Sequence, residues 1–304
     1  MYSISRRSFL QSATAALAWG AQTVHGASSF RLRYILASSL YGTLPLEVIL
    51  PEVRKTGADS IDIWPLKHGN QREQIAEMGN EKFAALLAQH NVKLGCLTRY
   101  DLGPFQLKEE IELGRQFGAR LIVTGSGGSK TLAGDDLKRE LKALVERMKP
   151  TLELAAQAGI VIGIENHGGS MLASPDSVRW LAEFSPSPNL GIALAPYHLP
   201  QDPVLLAKLI EELGPKLAHF YAWQYGKGCM KPMPKDEELM QLPGRGPLDF
   251  RPIVAALRKT GYRGWTSIFM HPTPRGIPIL PTASEVTAVV NEARKHLAQC
   301  LAKA

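Results

Sequence analysis

One feature constrains this chain more than any other: short β-rich apolar runs alternate with amphipathic stretches eight times over. The runs fall at 34–37, 60–63, 93–97, 121–124, 161–165, 190–194, 218–221 and 266–270. Helical periodicity fills the gaps at 46–55, 81–90, 107–117, 136–158, 175–184, 203–213, 250–260 and 283–301. Strands separated by a helix each time run parallel, because the crossover returns the chain to the same end of the sheet. Eight such units in that order close on themselves, so the spacing predicts an α/β fold, a (β/α)8 or TIM barrel. Gly57, Gly118, Gly159, Gly214 and Gly261 follow predicted helices where a left-handed residue ends the last turn.

The N-terminus stands apart from that pattern. Ser5-Arg6-Arg7-Ser8-Phe9-Leu10-Gln11 is a twin-arginine pattern, and the weakly apolar run over 12–21 is too short to span a bilayer. Val24-His25-Gly26 offers small or modest residues to a signal peptidase, which places the cut after Gly26. The expectation is a signal peptide over 1–26, a barrel over 27–304, and a periplasmic or secreted protein delivered by the twin-arginine export machinery. No later segment has the apolar length of a bilayer span, so no stable membrane insertion is expected. Cys96, Cys229 and Cys300 are odd in number and far apart, which argues against a disulfide framework. The formal net charge is +7, but basic residues such as Lys138, Arg139, Lys142 and Arg147 alternate with acids along helical faces. With no basic stripe carrying interleaved aromatics, nucleic acid is not an expected partner. No linker divides 27–304. The longest irregular stretch, 224–247, follows the seventh run, where a loop of that length is expected to be functional or to cover an active site.

In such a barrel the reactive groups lie at the C-terminal ends of the strands and in the loops beyond them. Glu165 closes the fifth run within Gly163-Ile164-Glu165-Asn166-His167; a carboxylate there needs a partner charge, a metal or a catalytic purpose. His198 follows the sixth run behind Tyr197. His219 and Tyr221 share one face of the seventh by period-two alternation, as Ser267, Phe269 and His271 do on the eighth. Asp62 and Trp64 share a parity on the second, the indole being suited to stack on a sugar. His68 and Arg99 are weaker candidates, and the Gly125-Ser126-Gly127-Gly128-Ser129-Lys130 segment reads as a turn at the rim.

Ile164-Glu165-Asn166-His167, the 190–199 segment, Pro243-Gly244-Arg245-Gly246 with Leu248-Asp249-Phe250, and Gly261-Tyr262-Arg263-Gly264-Trp265 resemble successive landmarks of the sugar phosphate isomerase/epimerase family, the xylose isomerase-like barrels. The resemblance covers nearly all of 27–304 and implies a divalent metal. Its ligands would be a Glu after strand five, an Asp in an Asp-x-x-His motif after strand six, a His in a His-x-His motif on strand seven and a Glu ending strand eight. The two glutamates would also move a proton on and off a carbon beside a carbonyl. This sequence keeps Glu165 and His198 but has Ala195, Tyr221 and Phe269 at the other three ligand positions.

Two mechanisms remain open at that point. A divalent metal site is rebuilt from Glu165, His198, His219 and His271, a donor set suited to zinc, manganese or iron. Alternatively no metal is bound, and Glu165 works with His198 or His219 as acid and base. The substrate would then be positioned by Asn166, Trp64, Tyr197, Tyr221, Trp223, Lys227, Arg245 and His271. The expected function is an isomerase, epimerase or related lyase acting on a small sugar or polyol. The alternative is a periplasmic carbohydrate-binding barrel without chemistry.

Overall fold

A computed structural model of the chain describes residues 30–304. The signal peptide expected over 1–26 lies outside the described residues. Eight parallel strands close a barrel: β1 Arg33–Ala37, β2 Ser60–Ile63, β3 Lys93–Thr98, β4 Leu121–Gly125, β5 Val161–Glu165, β6 Leu190–Leu194, β7 Leu217–Ala222 and β8 Trp265–Ile268. Each strand pairs with the next in sequence, and β8 closes on β1 through Arg33 opposite Trp265. Around them run α1 Leu46–Lys55, α2 Gln71–Met78, α3 Asn80–His90, α4 Lys108–Phe117, α5 Gly134–Ala158, α6 Pro175–Phe184, α7 Pro203–Leu213, α8 Lys235–Glu238, α9 Phe250–Lys259 and α10 Ala283–Ala302. Among the described residues no helix is long and apolar enough to cross a membrane.

The strands form because they are buried on both faces. Ile61, Ile63, Ile122, Val123, Ile162, Ile164, Ile192 and Phe220 are all sealed from solvent, the mark of a parallel sheet wrapped by helices. Helix ends follow local chemistry. Ser174 and Thr282 close capping boxes at the starts of α6 and α10, and Asp202 accepts from Val204 and Leu205 ahead of α7. Gly118 and Gly159 end α4 and α5 in the left-handed region. Gly214 turns with a φ of 48° but outside that region, as it opens a 3-10 turn instead of a cap.

The long loop after β7 is a strap across the barrel mouth. It contains α8 and is fastened by Gln241, whose side chain accepts from the Trp223 indole at 2.9 Å and donates to the His271 carbonyl at 3.0 Å. Glu238 accepts from the Thr273 backbone at 2.7 Å, tying the strap to the loop after β8. Cys229 of this loop is among the pocket walls.

Candidate active site

A small pocket of about 50 Å³ opens at the C-terminal end of the barrel, lined by Trp64, His68, Tyr100, Glu165, His167, His198, Trp223, Cys229, His271 and Arg275. A larger cavity opens at the opposite end, among the strand beginnings near Arg33, Leu121 and Trp265. No carboxylate or imidazole lines that second cavity, so it lacks a pair that could exchange a proton. The first is therefore the candidate site.

Two carboxyl groups sit beneath the pocket. Glu165 is 5% exposed, and burial first and the charge of Asp62 second push its pKa up to about 8, with no hydrogen bond offsetting either. Asp62 is fully buried and pushed up to about 7 by burial, although it accepts from the Trp64 indole at 2.7 Å and from the Thr98 hydroxyl at 2.9 Å. Desolvation outweighs those bonds, and neither acid is readily ionised while the other is charged.

Four imidazoles ring the opening in two close pairs. His68 stacks on His271 with centroids 4.3 Å apart, and His167 meets His198 at 4.1 Å. Burial, then neighbouring positive charge, lowers every one of them: His68 to about 4, His198 to about 3, His271 well below its ordinary value and His167 in the same direction. At neutral pH all four are uncharged, each able to donate one hydrogen bond and accept one. Trp64 and Trp223 complete the wall, the second backed by Tyr197 stacked at 4.0 Å.

The structure brings Glu165, His198, Trp64, Trp223 and His271 to one pocket, and Tyr197 directly behind it. Other expected site residues lie elsewhere. His219 is fully buried within the barrel against Tyr221, ring centroids 4.3 Å apart, and does not line the pocket. Burial holds it near a pKa of about 3, so it is a neutral core ring and not a catalytic partner of Glu165. Tyr221 is equally sealed and packs on Phe269 at 4.9 Å. Asn166 spends its amide on the backbone of Ala195, donating to its carbonyl at 2.9 Å and accepting from its N–H at 2.7 Å. Lys227 is exposed beside the Tyr225 ring, and Arg245 pairs with Glu292 at 2.7 Å on the outer surface. Arg99 is committed to Asp101 and Glu110. The pocket instead uses Tyr100, His167, Cys229 and Arg275. All four follow strand ends, so the rule that placed Glu165 also reaches them; nothing in composition separates them from ordinary loop residues.

The family model of the xylose isomerase-like TIM barrel matches residues 50–300. The chain belongs to that family. Among solved structures, the xylose isomerase-like fold here resembles a D-psicose 3-epimerase with D-tagatose from Clostridium cellulolyticum H10. That likeness has a TM-score of 0.66 and 14% identity over 89% of this chain and 99% of that one. An L-ribulose 3-epimerase superposes with a TM-score of 0.65, at 17% identity over 90% and 95% of the two chains. A 3-keto-D-glucoside 4-epimerase from E. coli gives 0.64, at 15% identity over 87% and 100%. At such identities the likeness is one of fold. No curated protein matches the chain by sequence.

A divalent ion of the kind the family resemblance implies does not fit the residues present. Ala195 and Phe269 offer no donor. The Tyr221 hydroxyl is held far above its ordinary pKa by burial and then by Glu165 and Asp62. Among the described residues no three of His, Cys, Asp and Glu converge to hold a metal. The rebuilt set of Glu165, His198, His219 and His271 therefore does not assemble, chiefly because His219 faces Tyr221 and not the pocket.

Proposed function

We propose that this chain is a sugar isomerase or epimerase that moves a proton beside a carbonyl with Glu165 as its base, using side chains where relatives would use a metal. The observation that carries the reading is Glu165, a carboxylate with a raised pKa on a pocket floor surrounded by neutral imidazoles and indoles. A raised pKa makes the ionised carboxylate a stronger base, and taking up a proton relieves its repulsion from Asp62. The C–H electrons of the substrate become the new C=C bond of an enediolate, and the carbonyl electron pair moves onto oxygen. An imidazole N–H, here that of His198, whose Nε2 is buried without a partner among the described residues, donates to that oxygen; a neutral ring suits this because it need not lose a proton. Return of the proton to the neighbouring carbon completes an isomerisation; an epimerisation instead needs a second acid that delivers a proton to the opposite face of the same carbon. The same enediolate, losing a β-hydroxyl instead, would give the lyase variant.

Supporting this over a binding barrel without chemistry is the company Glu165 keeps: titratable rings share its pocket, where a binding site alone would need only aromatic walls. The test is deuterium incorporation from D2O at the carbon beside the carbonyl of ketohexoses such as D-tagatose and D-fructose. Exchange that depends on Glu165 upholds the reading. Tight binding of sugars with no exchange in any of them leaves the carbohydrate-binding barrel.

The pH dependence has a fixed sign. Because the base must be ionised and its pKa is about 8, kcat/KM should climb about tenfold per pH unit below that value and level off above it. Asp62→Asn removes the charge that helps raise Glu165, so the inflection should move to lower pH. A profile that falls between pH 6 and 8 would contradict the assignment of Glu165 as base.

Export through the twin-arginine pathway to the periplasm is also proposed, on the strength of Arg6-Arg7 ahead of Phe9-Leu10. Replacing Arg6 and Arg7 together by Lys should leave the precursor in the cytoplasm. Undiminished mature protein in the periplasmic fraction of that variant would refute the assignment.

A further inference from the structure

We propose that Arg275 is an anion subsite of this pocket and that the sugar bound there carries a carboxylate, a sugar acid and not a neutral sugar; this deepens the isomerase or epimerase reading and rests on it for the reaction. Arg275 follows β8 in His271-Pro272-Thr273-Pro274-Arg275-Gly276. Two prolines restrict the backbone before it. The loop is then pinned on several sides: Thr273 N–H donates to Glu238 at 2.7 Å and its hydroxyl to the Gly228 carbonyl at 3.1 Å. The Gly276 carbonyl accepts from Thr43 at 3.0 Å, and Ile279 N–H donates to Leu40 at 3.0 Å. Gly276 itself has a φ of 80°, with the Lys67 carbonyl 3.0 Å from where a Cβ would stand, so the tight approach requires glycine. The guanidinium is therefore presented by a fastened loop.

Its charge has no counterpart in the protein. Among the described residues Arg275 makes no ion pair, and its hydrogen bond goes to the Pro272 carbonyl at 3.2 Å. Arg72 and Arg99 share Glu110, and Lys235 meets Glu238; Lys67, Lys130, Lys227 and Lys231 on these loops make no ion pair among the described residues either, but they are exposed and do not line the pocket. The carboxyl in the pocket wall, Glu165, does not answer Arg275, whose charge instead reaches His68, His167, His198 and His271. A guanidinium carries five N–H donors in a planar fork, so most of that capacity is unused by the protein. One fork with no lysine, no glycine-rich run of amides and no helix N-terminus in the lining matches a planar carboxylate better than a phosphate dianion. With the carboxylate on Arg275, the sugar ring lies along Trp64 and Trp223 toward Glu165.

The experiment is calorimetric titration of the exported protein and its Arg275→Gln and Arg275→Lys variants with D-glucuronate, D-galacturonate, D-glucose, D-galactose and D-glucose 6-phosphate. At least one uronate should bind about tenfold or more tightly than its neutral parent. Arg275→Gln should cost that uronate about 10- to 100-fold in affinity and leave neutral sugars unchanged, with Arg275→Lys in between. Equal binding of neutral sugars, preference for the phosphate ester, uronate affinity indifferent to Arg275, or no uronate binding at millimolar concentration would each overturn the subsite. The two readings separate cleanly. Glu165-dependent exchange in neutral ketoses, with every uronate bound no more tightly than its neutral parent, sinks the subsite and keeps the isomerase. Uronate binding that needs Arg275, without exchange in any sugar, does the reverse.

Discussion

Glu165→Gln should lower turnover by about two to four orders of magnitude and at the same time hold or raise the melting temperature. The amide keeps the shape of the carboxyl but cannot accept the substrate proton, so the loss falls on kcat with little change in binding. The stability half follows from linkage. Folding raises the pKa of Glu165 from its ordinary 4.5 to about 8, so between those values the folded chain binds more protons than the unfolded one. Stability then falls as pH rises through that window, and the penalty is fully present above about 8. Glutamine carries no such penalty. At pH 4 the variant and the wild type should melt together, whereas at pH 9 the variant should melt higher, by an amount on the order of a few kcal/mol at most. The buried histidines act with the opposite sign, losing stability as pH falls through their unfolded range near 6.5, and they are unchanged by the substitution. Paired kinetics and calorimetry at these pH values check both halves. Full activity in the variant ends the proposal, and a lower melting temperature at pH 9 would mean that the carboxylate has a stabilising partner.

The barrel was legible because its signal is repeated. Each strand is an apolar run buried on both faces, and each helix a periodic stretch with a cap, so boundaries at 60–63, 161–165 and 190–194 agree with β2, β5 and β6. The misses are short and polar. Helix α2, with the sequence QREQIAEM, buries little beyond Gln71 and Ile75, and α8 is a single turn inside the strap; neither has an apolar stripe to read. At the site, parity predicted which residues share a face but not how far along the axis they stand. His219 and Tyr221 do face inward together, yet the barrel is filled at their level by Phe269 and Trp64, and the pocket opens only above those rings. Cations were harder still. Arg245 is held on the outer surface by Glu292 of α10, a partner 47 residues away that no local pattern encodes. Asp62 was visible by parity, but its bearing on Glu165 requires the closed barrel to set β2 and β5 across from each other.

Asn166 offers the sharpest contrast between a residue read as substrate-binding and one placed by the fold. It follows Glu165 at the end of β5, is fully buried, and clasps both backbone groups of Ala195 just beyond β6. Ala195 is itself fully buried; its carbonyl keeps the His198 N–H at 3.2 Å, but without that amide its own N–H has no partner and no water to turn to. A buried backbone group left unpaired costs about 1–3 kcal/mol, so Asn166→Ala should destabilise the fold by roughly that amount. For a barrel of this size that corresponds to a fall in melting temperature of about 2–10 °C. Function should suffer through placement, because the Pro196–His198 turn starts at Ala195 and carries His198 into the pocket. Asn166→Asp separates the parts of the clasp: it still accepts from the Ala195 N–H but cannot donate to the carbonyl, and it adds a buried acid next to Glu165. It should therefore be no more stable than the alanine variant near neutral pH and should recover as pH falls and the new carboxyl takes up a proton. Thermal melts of the two variants between pH 5 and 8 decide the matter. If both melt with the wild type and only KM rises, Asn166 contacts the sugar and the clasp has no structural weight.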